Sequence, residues 1–188
     1  MESMQTMQPR SLWKFGTREV VNSAIGAALY GVLSFATNIL QIPGAGNVAL
    51  RPAICIPLFF GLAFGPIVGF ITGFVGNIIG DLLSGYGFYF WWDLGNGLIG
   101  LIMGLAMVAI ADFRSGKGIL RAELFVVLSC AVGIGLASIS EMWVSGADMN
   151  TVIYLNFLPA FLTNIVNGLI LVPVLMYAYA AVVMRSGR

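Results

Sequence analysis

The stretch Leu58–Gly87, LFFGLAFGPIVGFITGFVGNIIGDLLSGYG, decides the fold. Two apolar runs meet at Gly65-Pro66, a pair that marks a tight turn. Asn77 and Asp81 enter near the end of the second run, one helical turn apart, and Ser84 extends their stripe. The aromatic run Phe88-Tyr89-Phe90-Trp91-Trp92 follows, and a second acidic stripe begins at Asp93. Charge at membrane depth costs several kcal/mol unless it is paired or hydrated. An apolar helix pair that gathers its carboxylates at one end therefore reads as membrane structure with a polar site near one surface.

The same texture extends over the chain. Hydrophobic residues make up 59% of the 188 and charged residues 9%, with a mean hydropathy of +0.95. So little charge cannot cover a soluble surface. The expected fold is an all-α integral membrane bundle of about six transmembrane helices. The apolar run from Val20 to Leu40 exceeds the roughly 7–15 residues of a signal-peptide core and reads as a permanent span. The remaining helices are expected at 48–64, 67–83, 93–111, 120–143 and 154–184, with the first at 18–40. The segment Gln41–Asn47 breaks the first from the second, which Pro52 and Pro57 interrupt. Ser84–Trp92 is expected as an aromatic loop, and Pro159 and Pro173 as bends in the last helix.

Basic residues orient this bundle. Arg10, Lys14 and Arg18 precede the first helix, Arg114, Lys117 and Arg121 surround the loop after the fourth, and Arg185 and Arg188 follow the sixth. With an even number of spans all three clusters share one side, which the positive-inside rule makes cytoplasmic. The expected organisation is a cytoplasmic segment 1–17, a membrane domain 18–184 and a cytoplasmic tail 185–188 of a multi-pass prokaryotic plasma-membrane protein. Arg51 falls on the opposite, outer side.

Composition excludes several function classes. A net charge of +1 gives no electrostatic case for nucleic acid. The absence of histidine removes the commonest general base and metal ligand, and no GxxxxGK[ST] run is present to cradle a nucleotide. Cys55 and Cys130 lie in apolar segments as packing residues. No metal or cofactor is expected. Glu141 or Asp93 lacks the nucleophile–base pair that an enzyme would need.

Polar pairs instead recur at one depth. Asn77 and Asp81 lie on the third helix, Asp93 and Asn96 on the fourth, Ser138 and Glu141 on the fifth, and Asn164 and Asn167 somewhat deeper on the sixth. Arg51 supplies a cation at the start of the second. One reading is an interhelical network in which Arg51 pairs with Asp81 or Asp93. The other is a pocket open to one membrane face, since three carboxylates against one arginine leave acceptors for a solute. Trp91 and Trp92, with Tyr89, Trp143 and Tyr154, serve either as an interfacial belt or as a stacking wall. Glycine is abundant, at 24 residues, and falls in rows spaced by four that permit close helix packing. The first helix carries the row Ala24 and Ala28 and a second row, Ser23, Ala27 and Gly31, suited either to internal packing or to docking another subunit.

The Leu58–Gly87 run, followed by WWDLGNGLIGLIMGL (Trp91–Leu105), resembles the substrate-binding S components of energy-coupling factor (ECF) transporters, the riboflavin-type group above all. The motif Ala24-Ile25-Gly26-Ala27-Ala28 is similar to the AxxxA motif by which that family docks its coupling subunit. The resemblance spans most of the chain. It implies a subunit that captures a vitamin-like solute from outside and associates with a transmembrane coupling subunit and two ATPase subunits. It also implies a subunit that topples in the bilayer to release its cargo. Riboflavin or another flat heterocycle is the first candidate; the acidic bias of Asp81, Asp93 and Glu141 also suits a cationic or amine-bearing ligand such as a thiamine or queuosine precursor. The competing expectation is a small multi-span membrane scaffold, MreD-like, with no ligand.

Overall fold

The computed structural model describes residues 12–13, 15–38, 40 and 49–185, with side chains described through 183. Arg10, Lys14, the 41–47 break and Arg188 lie outside them. The fold is all-helical, 83% helix, with no strand among the described residues. The helices are α1 (Thr17–Thr37), α2 (Cys55–Phe64), α3 (Pro66–Leu83), α4 (Phe90–Leu105), α5 (Gly116–Val144) and α6 (Leu158–Arg185).

Five helical segments are long and apolar enough to cross a membrane: α1, α3, α4 with its tail to Val108, α5, and α6 with the turns before it. The second of the six expected spans is a shorter apolar helix. Arg51 starts a 3₁₀ turn (Pro52–Ile54) that runs into α2, giving one apolar rod, Pro52–Phe64. At 1.5 Å per residue that rod is about 20 Å long, short of a hydrocarbon core of roughly 30 Å. Pro52 sits at the first helical position, where its missing N–H costs nothing.

The α2–α3 turn follows from two residues. Gly65 has φ +110°, which ends α2, and its N–H bonds to the Gly61 carbonyl at 2.8 Å. Pro66 then opens α3. Further on, the aromatic stretch is not all loop: Phe90, Trp91 and Trp92 form the first turn of α4, so the fourth helix starts three residues before Asp93. The final helix likewise starts early, in a π-helical segment Thr151–Phe157. Asp148 accepts the Thr151 N–H at 2.8 Å, which draws that carboxyl below the usual carboxylate range. Pro159 has no N–H for the carbonyl four residues before it, and the π segment lies just ahead of this proline.

Helix α3 packs on α1, α2 and α4, and α4 on α5. Glycine rows make these crossings close. A Cβ at Gly69 would meet the Gly100 carbonyl, one at Gly100 the Gly69 carbonyl, and one at Gly133 the Gly95 carbonyl. Half of the Phe90–Val108 span is buried but only 17% of Thr151–Val183, so α4 is central and α6 forms a lipid-facing rim. On α1 the row Ser23, Ala27 and Gly31 turns inward toward α3, whereas Ala24 and Ala28 are exposed.

The bundle has two distinct ends. At one, Arg121 Nη1 donates to the Ala109 carbonyl at 2.6 Å, Phe113 packs on Tyr179, and Gly65 faces the Leu12 carbonyl. Arg18, Arg114 and Lys117 belong to this end. At the other, Asn38 Nδ2 donates to Ser84 Oγ at 2.6 Å and Trp91 packs edge-on against Trp143. Arg51, Asn77, Asp81, Asp93, Asn96 and Glu141 gather there.

Candidate functional site

Asn77 is the hub of the Arg51 end. It lies six residues before the end of α3, about 9 Å down the helix at 1.5 Å per residue. Its Oδ1 accepts from Arg51 Nη2 at 2.6 Å. Its Nδ2 donates both to Asp81 Oδ2 and to Asp93 Oδ1, each at 2.8 Å. One amide thus satisfies a guanidinium from the start of the 3₁₀ turn, a carboxylate from its own helix and a carboxylate from α4. The choice between Asp81 and Asp93 as the partner of Arg51 resolves into a relay through Asn77 that reaches both.

Tyr30 of α1 extends the network. Its hydroxyl donates to Asn96 Oδ1 at 2.7 Å and lies 3.4 Å from Arg51 Nη2, and Asn96 Nδ2 donates to the Trp92 carbonyl at 2.8 Å. Tyr30, Asn77, Asp93 and Asn96 are at most 1% exposed. Sequence reasoning missed Tyr30. Its signal was position: it follows Ser23 and Ala27 on the small-residue face of α1, where a large polar ring must point into the bundle.

A second cluster joins α4 to α5. Trp92 Nε1 donates to Glu141 Oε1 at 2.8 Å, and Ser145 Oγ donates to Glu141 Oε2 at 2.8 Å. The Trp92 backbone carbonyl that receives Asn96 connects this cluster to the first. Trp91 does not share it; its ring packs edge-on against Phe90 and Trp143. Asn167 is also apart, since its Nδ2 donates to the Thr163 carbonyl of its own helix at 2.8 Å.

Several buried polar atoms have no hydrogen-bond partner: Asp93 Oδ2, Arg51 Nε, Ser138 Oγ and both ends of the Asn164 amide. Most buried polar groups are paired, and a carboxylate oxygen without a donor is costly. Ser138 is fully buried one turn before Glu141, and Asn164 is 1% exposed on α6. These groups come from α2's leading turn, α4, α5 and α6, and they leave hydrogen-bonding capacity directed inward. At the same end an open cavity of about 410 Å³ lies beside the Asn38–Ser84 contact, lined by Phe35, Ala36, Asn38, Ser84 and Tyr86. No group of three or more metal-ligating side chains occurs among the described residues.

An all-helical chain with this outline matches the family described as ECF-type riboflavin transporter, S component, over residues 14–181. The chain belongs to that S-component family. Curated relatives agree over shorter stretches. A UPF0397 protein of Vibrio atlanticus is 37% identical over 146 residues, 74% of each chain. One from Vibrio vulnificus is 39% identical over 115 residues, 60% of this chain and 62% of its own. One from Aliivibrio salmonicida is 43% identical over 88 residues, 47% of each. S components are substrate-binding subunits of transporters rather than enzymes, and the multiple apolar helices make this one a multi-pass membrane protein.

Proposed function

We propose that this S component captures a small water-soluble, flat heterocyclic solute at its Arg51 end, and that this end faces the outside of the plasma membrane. The basic residues Arg18, Arg114, Lys117 and Arg121 at the opposite end support that orientation by the positive-inside rule. The observation that carries the reading is the set of buried, unpartnered polar atoms on Arg51, Asp93, Ser138 and Asn164. They come from separate helical elements, and the buried hydroxyls of Ser23, Ser34 and Thr72 on α1 and α3 are likewise unpartnered. A scaffold of the MreD type gains nothing from them.

Binding residues in this reading are Arg51, Asn77, Asp81, Trp92, Asp93, Asn96, Glu141 and Asn164, with Trp91 and Asn167 at its margin. Riboflavin is the first ligand to try, because the family description names it. A binding subunit cannot drive uphill transport alone, so a transmembrane coupling subunit and two ATPase subunits complete the transporter. The exposed Ala24–Ala28 row of α1 is the face offered to the coupling subunit. Release inward then follows from movement of the whole bundle within the complex.

Two experiments test this. A vitamin panel in a thermal-shift assay should yield one stabilising compound, by about 2.7 kcal/mol at 100 times its dissociation constant. Ala24→Leu or Ala28→Leu should leave that shift intact and abolish uptake by the assembled transporter; uptake at the wild-type rate would refute docking through this row.

A further inference from the structure

We propose that the solute held at the Arg51 end carries positive charge, and that Asp93 and Glu141 select it. This rests on the ligand-site reading above and narrows its chemistry. Arg51 is linked through Asn77 to two carboxylates, Asp81 and Asp93, and a third carboxylate, Glu141, is tied to α4 through Trp92. Arg51 binds the neutral amide of Asn77, and that amide in turn serves Asp81 and Asp93. An amide relays hydrogen bonds; it adds no charge to offset the second carboxylate. Glu141 is held by the Trp92 indole and the Ser145 hydroxyl, two neutral donors that fix its position and bring no opposing charge.

Independent observations point to a solute rather than to a closed network. Asp93 is 0% exposed, and its Oδ2 faces no donor. Ser138, fully buried one turn from Glu141 on the same face of α5, has an unpartnered hydroxyl, and the Asn164 amide is unpartnered at both ends. A cation bearing N–H groups would donate to Asp93 Oδ2 and to Ser138 or Asn164, and would offset the charge that Arg51 leaves uncancelled. The Trp92 ring, pinned through its N–H to Glu141, offers a fixed aromatic face beside those carboxylates, which favours a flat cation. A protonated nitrogen heterocycle, or a quaternary one that also carries an amino group, meets all of these demands. Neutral riboflavin offers a flat ring and hydrogen-bond donors, at its imide N–H and ribityl hydroxyls, but no positive charge.

Mass spectrometry of the molecule extracted from purified protein tests this, together with thermal-shift titrations of thiamine, riboflavin and folate as cationic, neutral and anionic probes. The expected result is a retained molecule with net positive charge at pH 7. Stabilisation should come from thiamine but not from riboflavin or folate. Asp93→Asn and Glu141→Gln, both of which keep side-chain shape, should each weaken the cation at least tenfold in protein that elutes as wild type. A retained neutral or anionic molecule, or affinity unchanged in both variants, overturns the assignment. Riboflavin bound at wild-type affinity by Asp93→Asn would do so while leaving the S-component site standing. No retained molecule and no shift with any probe would remove both.

Discussion

The two ends of this bundle use the same residue types in opposite ways. At the Arg121 end, charges point outward and finish helices. Arg121 caps the Ala109 carbonyl, Ser115 accepts the Gly118 N–H at the start of α5, and Asp112 accepts the Arg114 N–H. At the Arg51 end, charges turn inward, and amides and a phenol connect them between helices. An exposed cap is worth tenths of a kcal/mol to about 2. A buried charged cluster is held only by its complete set of partners, because losing one leaves another uncompensated. The comparison therefore predicts unequal sensitivity of the two ends to single substitutions.

The largest effect should come from the hub. Asn77→Leu strips one donor from each of two carboxylates and the acceptor from Arg51, and should cost about 3–5 kcal/mol, from three hydrogen bonds to charged groups lost together. Thermal unfolding in detergent should show it as a large fall in Tm. A change below 1 kcal/mol would mean that water, not Asn77, satisfies Arg51, Asp81 and Asp93. Next is Trp92→Phe, which keeps the ring and deletes the donor to Glu141. A hydrogen bond to a charged group is worth about 1.5–3 kcal/mol, and hydrogen exchange should report the loss as faster opening where α4 meets α5.

The matched change at the other end is Arg121→Ala. It frees a cap beside solvent and should cost about 0.3–1 kcal/mol, with uptake unaltered. A cost equal to that of Asn77→Leu would erase the distinction between the ends. The smallest effect concerns Asp148, whose exposed carboxyl is held below its ordinary range by the Thr151 N–H. A depressed carboxyl stabilises the folded state above its unfolded pKa, and the contribution disappears as pH falls through the folded value. Asp148→Asn should therefore flatten only the acid limb of the stability curve, below the usual carboxylate range.

Much of this contrast was legible in the sequence. The spacing of Asn77 with Asp81, Asp93 with Asn96, and Ser138 with Glu141 placed polar groups on common faces at one depth, because helical period and membrane cost are local rules. What could not be read was pairing across helices. Nothing in the sequence said that one asparagine would serve an arginine and two aspartates, or that Tyr30 would reach Asn96. Both depend on the α1–α3 and α3–α4 crossings that the glycines at 69, 73, 76 and 100 permit. Two boundary errors have local causes. The short α2 follows from Pro52, which starts the 3₁₀ turn only after Arg51. The early start of α4 carries no cap signal in the sequence, because Tyr89 precedes it without a side-chain cap, whereas Ser, Thr, Asp or Asn is the usual residue there. Spacing alone does not separate the two rows on α1; burial does, with Ser23, Ala27 and Gly31 inward and Ala24 and Ala28 outward.

The most direct test of the inward-turned end is an experimental structure of the protein purified with its native solute. The account predicts density for a small molecule at the Arg51 end, within hydrogen-bond distance of Asp93 Oδ2 and of Asn164 or Ser138. A solute seated elsewhere, or those atoms bonded to one another around an empty core, would contradict it.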